Sequence, residues 1–457
     1  MQGKAVEMKR ERMALLSLCA MVFGLAILGA RADWPQLYGP HRNSVSDETG
    51  LARSWPEGGP RMLWETKVGV GYGGAVIDAQ GKVYFLDRVE DKQDVLRCLD
   101  LATGKEEWNF AYDAPGKLDH NGSRTLPAVD DKRVYTCGGW GHLYCIDKAT
   151  HKPVWQKNTL ADFGGELPRW GVSQCPLLYH DSVIVAAQGA NAGVVAFDKK
   201  TGNVLWKTAA LPGKVGYVSP SLATIGGVDQ VMMANASDKG ASAGRPAKQG
   251  KGGGKAPEAK AAGSAGGGGV FSFDAKTGKP LWEFENWHCQ IPICSPTCMG
   301  DSLVFVTGGY HAGSVMLKIE NKGGKFAVSE AFRTPEYGSQ IHPAILYKDH
   351  IYLHSNENGV RNGLMCLTLK GEKKWNTGPS NSFDLGPLML ADGMFINLDG
   401  EKGDLRLVDP SPDGYKELVA KAHELDGKQI WGPMALMDGK LVIRSQSQMK
   451  CLDLKKP

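Results

Sequence analysis

One pattern, repeated along the chain, constrains the fold more than any other feature. Four segments align without gaps: Cys98–Trp108 (CLDLATGKEEW), Cys145–Trp155 (CIDKATHKPVW), Ala196–Trp206 (AFDKKTGNVLW) and Ser272–Trp282 (SFDAKTGKPLW). In each, an aspartate (Asp100, Asp147, Asp198, Asp274) stands eight residues before a tryptophan (Trp108, Trp155, Trp206, Trp282). A short β-forming run ends at the Asp, whose carboxylate can accept turn N–H groups. Thr-Gly closes the turn in three of the four copies, and the Trp lies on the returning strand with a large apolar face to wedge between sheets. The residue two before each Asp is small (Cys98, Cys145, Ala196, Ser272), which is expected to leave room for a neighbour's Trp. Internal repetition at this spacing means a closed or stacked array of like units.

Weaker copies complete the count. Residues 315–332 turn at Gly323-Gly324, 364–375 keep Cys366, Gly371 and Trp375, and 405–419 keep Asp409. Cys451-Leu-Asp453 stops half a unit short at the C-terminus, while Trp64 lies on an outer strand with no partner before it. Joining these two halves gives seven internal units plus one shared by both ends, and hides the free sheet edges. Each unit also begins with two earlier strands, as in 123–129 with 133–136 and 173–178 with 183–186; similar pairs start at Ser219, Ser295, Ile341, Leu385 and Trp431. Successive Trp residues from Trp64 to Trp206 lie 44, 47 and 51 apart, room for four strands. The fold expected is therefore all-β, an eight-bladed β-propeller of four-stranded antiparallel blades spanning 62–457, with 33–61 as an N-terminal extension packing on it. A β-helix wants shorter repeats, and a doubly wound fold wants amphipathic helices between strands, for which the sequence shows no convincing pattern beyond the signal. The 76-residue interval from Trp206 to Trp282 contains 238–269, a Gly/Ala/Lys-rich stretch that cannot bury a core, and is expected as a disordered insertion between the second and third strands of blade four.

The N-terminus reads as an export signal: Lys9, Arg10 and Arg12, then an apolar run over 14–28, then Ala30-Arg31-Ala32. The run is short for a membrane span, so a cleaved signal over 1–32 and a mature chain with no transmembrane segment in the periplasm or envelope are expected; a retained anchor is the alternative. Residues 1–32 carry a net +3 and 238–269 a net +4, against +4 for the whole chain, so the remainder is slightly acidic at −3. Nucleic acid as a partner has no electrostatic support. The nine cysteines after Cys19 cannot all pair within one chain. Cys98, Cys145, Cys366 and Cys451 read as small core residues. Cys289, Cys294 and Cys298 match no strong zinc spacing and stay open between core thiols, a disulfide and a metal site.

The Asp-x-x-Thr-Gly-x-x-x-Trp repeats resemble those of quinoprotein dehydrogenases and of the propeller lipoprotein of the bacterial outer-membrane assembly machinery. The stretch from Asp33 to Arg42 (DWPQLYGPHR) is similar to the opening of exported quinoprotein-like propellers of planctomycetes and related bacteria. This PQQ-like (quinoprotein alcohol dehydrogenase-like) resemblance covers nearly the whole chain after the signal, but its residues are structural. Enzymatic members bind pyrroloquinoline quinone with calcium, through carboxylate and amide calcium ligands, an Asp base and in many cases a Cys-Cys pair. This chain has no Cys-Cys dipeptide and no Cys-x-x-Cys-His haem motif. Soluble sugar dehydrogenases lack the Cys pair as well, so quinone with calcium stays open as a cofactor.

Two motif matches are rejected. Residues 69–74 (GVGYGG) fit a dinucleotide fingerprint, but strands follow where a helix is required. Residues 240–244 fit a nucleophile elbow inside the low-complexity stretch. Propellers bind at the mouth of the channel, where loops between blades and second-to-third-strand loops gather. The residues expected there are His120, Asn121, Trp140, His142, Arg169, Trp170, Tyr217, Trp287, His288, Tyr310, His311, Asn356, Arg361 and Trp431, with Asp119 and Glu357 beside them. Aromatics, imidazoles and amides suit a planar or polar ligand; no acid/base pair can be named. The leading expectation is a monomeric binding or scaffold module for an envelope protein or a small ligand, without evident catalysis; the alternative is a quinone- or metal-dependent dehydrogenase of an alcohol or sugar.

Overall fold

The computed structural model describes residues 33–237 and 267–456. Among them are eight sheets, antiparallel except for one added edge strand, and only two single-turn 3₁₀ segments, and no helix is long and apolar enough to cross a membrane. Blades one to seven occupy 76–113, 128–158, 177–207, 221–284, 297–334, 345–376 and 388–421. Blade eight combines the last three strands, beginning at Ala435–Met437, with Arg61–Lys67 as its outer strand. Trp64 pairs with Cys451 across that seam, so the two half-repeats close the ring as the sequence required.

The repeat residues explain the blades. Asp100 Oδ1 accepts from the Thr103 amide (3.0 Å) and hydroxyl (2.8 Å), and Asp147, Asp198 and Asp274 each accept a threonine amide at 2.8 Å in the same way. Those amides, Thr150 and Thr201 first, hold Asp147 and Asp198 below the usual carboxylate range. A bulge precedes each Trp on the outer strand, which re-aims the indole. The indole then reaches the next blade: Trp64 Nε1 donates to Leu101 O (2.8 Å), Trp155 to Lys199 O (3.0 Å), Trp206 to Ala275 O (3.2 Å) and Trp375 to Ser411 O (3.0 Å). Under Trp64, Trp155 and Trp206 the turn glycine of the next blade packs on the ring. Gly278, at φ +72°, lies so close to Trp206 that a Cβ would stand 2.5 Å from its Cε3. In blade two the position is His151, which instead stacks on Trp108 at 4.6 Å and 11°.

One expectation needs correcting. The small residues two before Asp do not face a neighbour's Trp. Cys98 is paired with Trp108, Cys145 with Trp155, Ala196 with Trp206, and Ser272 with Trp282, each within its own blade. They are small because the Trp lies over them from the adjacent strand. All nine cysteines of the described residues are free thiols, eight of them buried, Cys289 and Cys294 included.

Residues 33–61 are threaded across one end of the central channel. Trp34 exchanges backbone bonds with Ile77 of blade one (2.9 and 2.8 Å), and Pro35 O accepts from Val129 of blade two (2.8 Å). The chain then crosses to blade seven, where Val45–Ser46 adds a fifth strand, parallel to Leu388–Ala391. Glu48 caps the first turn of blade eight through the Asp438 and Gly439 amides (2.5 and 2.6 Å). The signal expected over 1–32 lies outside the described residues. So does the 238–269 insertion except for its last three residues, of which Gly269 already pairs with Asn235 as the start of a strand.

Candidate functional site

First strands run along the channel, from the inter-blade loops at one end to the first turns at the other. The crossing segment shuts the turn end: Tyr38 stands in the channel, its ring 6.4 Å from His342 and edge-on, and burial raises its pKa well above the ordinary phenol. What remains is a blind cavity at the loop end, enclosing about 1050 Å3 when the solvent space of its opening is counted. Leu37 and Tyr38 line its inner part.

The walls come from loops between blades and, at Tyr310, from the loop joining the second and third strands of blade five. Tyr72, on the loop joining blades eight and one, stacks on Trp431 from the loop joining seven and eight (5.5 Å, 28°). Trp170 packs against Tyr217 (5.2 Å). Tyr310, Gln340 and His342 supply the blade five and six side. Arg124 lines the cavity between blades one and two, its guanidinium 5.2 Å from the centre of the Tyr72 ring. Four serine or cysteine positions just ahead of first strands (Ser173, Cys175, Ser219, Ser295) pave the neck.

Of the fourteen residues expected at the mouth, the structure brings five into the cavity wall: His120, Trp170, Tyr217, Tyr310 and Trp431. Arg169 stands at the rim, over Trp170 and paired with Asp119 at 2.8 Å. The rest hold the loops. Asn121 donates to Asp91, Trp140 lies under the buried Arg88 (4.1 Å), and His142 packs edge-on against Tyr112 (5.5 Å), where burial lowers its pKa. Trp287 is fully buried between blades four and five, and His288 beside it does not line the cavity. His311 is held by Glu357 (3.1 Å), Arg361 pairs with Asp384 (2.8 Å), and Asn356 donates to Ser382 O (2.6 Å). Trp287 and Asn356 are buried in blade packing, whereas His311 stays exposed at the surface and Arg361 partly so, each tied to a carboxylate. Residues 69–74 are the crossing from blade eight to blade one; the Gly69 and Gly73 carbonyls accept from the buried Arg444 (2.8 and 3.1 Å).

Sequence reasoning missed Tyr38, Tyr72, Arg124, Gln340 and His342. Four of these precede a first strand by only a few residues, the position that Trp431 occupies in blade eight, so that register was the available signal. Tyr38 had none.

Fold and cavity together define an eight-bladed propeller of quinoprotein-type repeats with a blind mouth. A family model described as outer membrane protein assembly factor BamB matches residues 91–377, well over half of the chain, and the chain belongs to that family. The quinohemoprotein alcohol dehydrogenase of Comamonas testosteroni is 28% identical over 197 residues, which is 40% of this chain and 26% of the dehydrogenase. The cytochrome c-linked 1-butanol dehydrogenase of Thauera butanivorans is 26% identical over 196 residues, again 40% and 26%. The match thus spans about a quarter of these relatives' length. Among solved structures, a europium-containing methanol dehydrogenase superposes with TM-score 0.63 at 13% identity, over 90% of this chain and 89% of its own. BamB from Moraxella catarrhalis gives 0.56 at 13% identity, over 86% and 100%. These two likenesses bear on the fold alone.

Proposed function

We propose that the protein is an extracytoplasmic binding propeller whose site is the blind aromatic mouth, and that it holds its ligand without turning it over. The observation that carries this is the closed inner end. With Tyr38 across the channel, five aromatic side chains gather around a pocket of ligand size instead of a through-pore or a flat docking face. The envelope location rests on the signal read in residues 1–32 and on the outer-membrane assembly factor for which the family is named.

The dehydrogenase reading draws on the likeness to quinone-dependent alcohol dehydrogenases. The donor chemistry of the mouth does not fit its calcium. Among the described residues no Asp or Glu lines the cavity, and no three His, Cys, Asp or Glu side chains converge as a metal site. Calcium takes six to eight oxygen ligands with carboxylates prominent.

The test uses N-phenyl-1-naphthylamine, a neutral aromatic dye whose emission rises in apolar sites. One saturable site is expected, weakened by Trp170→Ala and by Trp431→Ala. Pyrroloquinoline quinone with calcium should support no dye reduction by alcohols or sugars. Calcium-requiring, alcohol-dependent reduction would overturn the reading, and so would absence of the dye site.

A further inference from the structure

The mouth cavity is electrically one-sided. The Arg124 guanidinium donates to the Asp119 carbonyl (2.7 Å), the Gly122 carbonyl (3.0 Å) and the His120 carbonyl. Those are dipoles, not counter-ions. Among the described residues no carboxylate stands within ion-pair distance of Arg124; the side chain of Asp119 is taken by Arg169 at 2.8 Å. Burial lowers the Arg124 pKa, yet a guanidinium keeps its proton in proteins. A half-buried cation over an aromatic ring, whose nearby acid Asp119 is already paired with Arg169, is a standing attraction for an anion.

Two further polar atoms of the same wall, Trp170 Nε1 and Gln340 Oε1, have no partner among the described residues, while the His342 ring faces the Trp431 backbone. His342 is buried, and burial holds its imidazole neutral, at about 3. Trp170 Nε1 can only donate and Gln340 Oε1 can only accept. A ligand that satisfies this set carries an acceptor and a donor as well as a negative charge. The Tyr72–Trp431 stack beside Arg124 offers it a flat face.

Resting on the reading of the mouth as the binding site, we propose that its ligand is a metal-free organic anion. It is a hydroxylated ring carboxylate, with its carboxylate on Arg124, its ring against the Tyr72–Trp431 wall and its hydroxyl donating to Gln340 Oε1. A calcium-bound ligand is disfavoured by the same charge that holds this one.

Two dyes with the same rings separate the claims: N-phenyl-1-naphthylamine is neutral, and 8-anilinonaphthalene-1-sulfonate adds a sulfonate. In chelator and low salt the anion should bind about tenfold tighter or better, and the advantage should shrink as salt is raised. Arg124→Gln should abolish the preference. Arg124→Lys should keep much of it, which separates lost charge from a disturbed loop. 4-Hydroxybenzoate should displace the bound anion where 4-hydroxybenzyl alcohol does not. Equal binding of the two dyes to the unmodified protein overturns the anion proposal and leaves the binding site standing. Binding of neither removes the site itself. An anion that binds only with added calcium overturns the metal-free claim.

Discussion

The turn glycine that packs on a wedge tryptophan, as under Trp64, Trp155 and Trp206, gives the sharpest test of how the blades lock together. Gly278→Ala should destabilise the propeller through two separable effects. At φ +72° an L-residue costs roughly 1–2 kcal/mol. The new Cβ also enters the Trp206 ring, 2.5 Å from Cε3, and overpacking of that kind costs about 1–3 kcal/mol. Gly323 supplies the control. It has a similar φ of +64°, at the exposed hairpin tip of blade five, and a methyl group added there would meet nothing within 4 Å. Gly323→Ala therefore carries only the backbone cost. Guanidinium unfolding followed by tryptophan emission should place Gly278→Ala below Gly323→Ala by about 1–3 kcal/mol. In a Trp206→Leu background the excess should vanish, since neighbouring sites couple through the contact they share. Equal losses in the two glycine variants would refute the idea that turn glycines are kept for the indole of the preceding blade.

Three other outcomes follow from the structure. Trp64→Ala should cost about 3–5 kcal/mol because it empties the buried seam where the two ends of the chain meet; the partly exposed Trp108 should cost less on the same denaturation curve. His342 and His354 are buried, and burial first of all pushes them down to about 3 and about 4. Each therefore stabilises the fold above pH 6.5, and that contribution is lost as pH falls from 6.5 toward the folded values, at about 1.4 kcal/mol per pH unit per residue. Unfolding at pH 7 and pH 5 should show the loss, and His342→Gln should flatten the slope; an unchanged slope would contradict it. Tyr38→Ala should open the inner end of the cavity and weaken the neutral naphthylamine dye severalfold, read by fluorescence titration, while the blades keep their circular dichroism.

The fold was legible because its signals are local. An Asp that ties its own turn, a Thr-Gly that closes it and a Trp eight residues on are written within eleven consecutive positions, and they recur. Even ring closure could be read, since Trp64 lacked the half-repeat that Cys451 carries. The direction of the small residues could not, because whether Cys98 meets its own Trp108 or a neighbour's depends on strand register and a bulge. The site was half legible for a related reason. Loops between blades could be placed at the mouth, but which face of a loop turns inward is settled by packing. Trp287 and Asn356 went into the blades, while Tyr72 and Arg124 went into the cavity. Tyr38 reaches the channel only because residues 33–46 cross from blade two to blade seven, a path no local pattern encodes.

The most direct measurement of the account is crystallographic. Crystals soaked in 4-bromobenzoate without calcium, and measured at the bromine edge, should show one strong anomalous peak in the mouth, with the ring on the Tyr72–Trp431 face and the carboxylate on Arg124. Bromine found only on the outer surface of the blades, or in the mouth with its carboxylate turned away from Arg124, would contradict it.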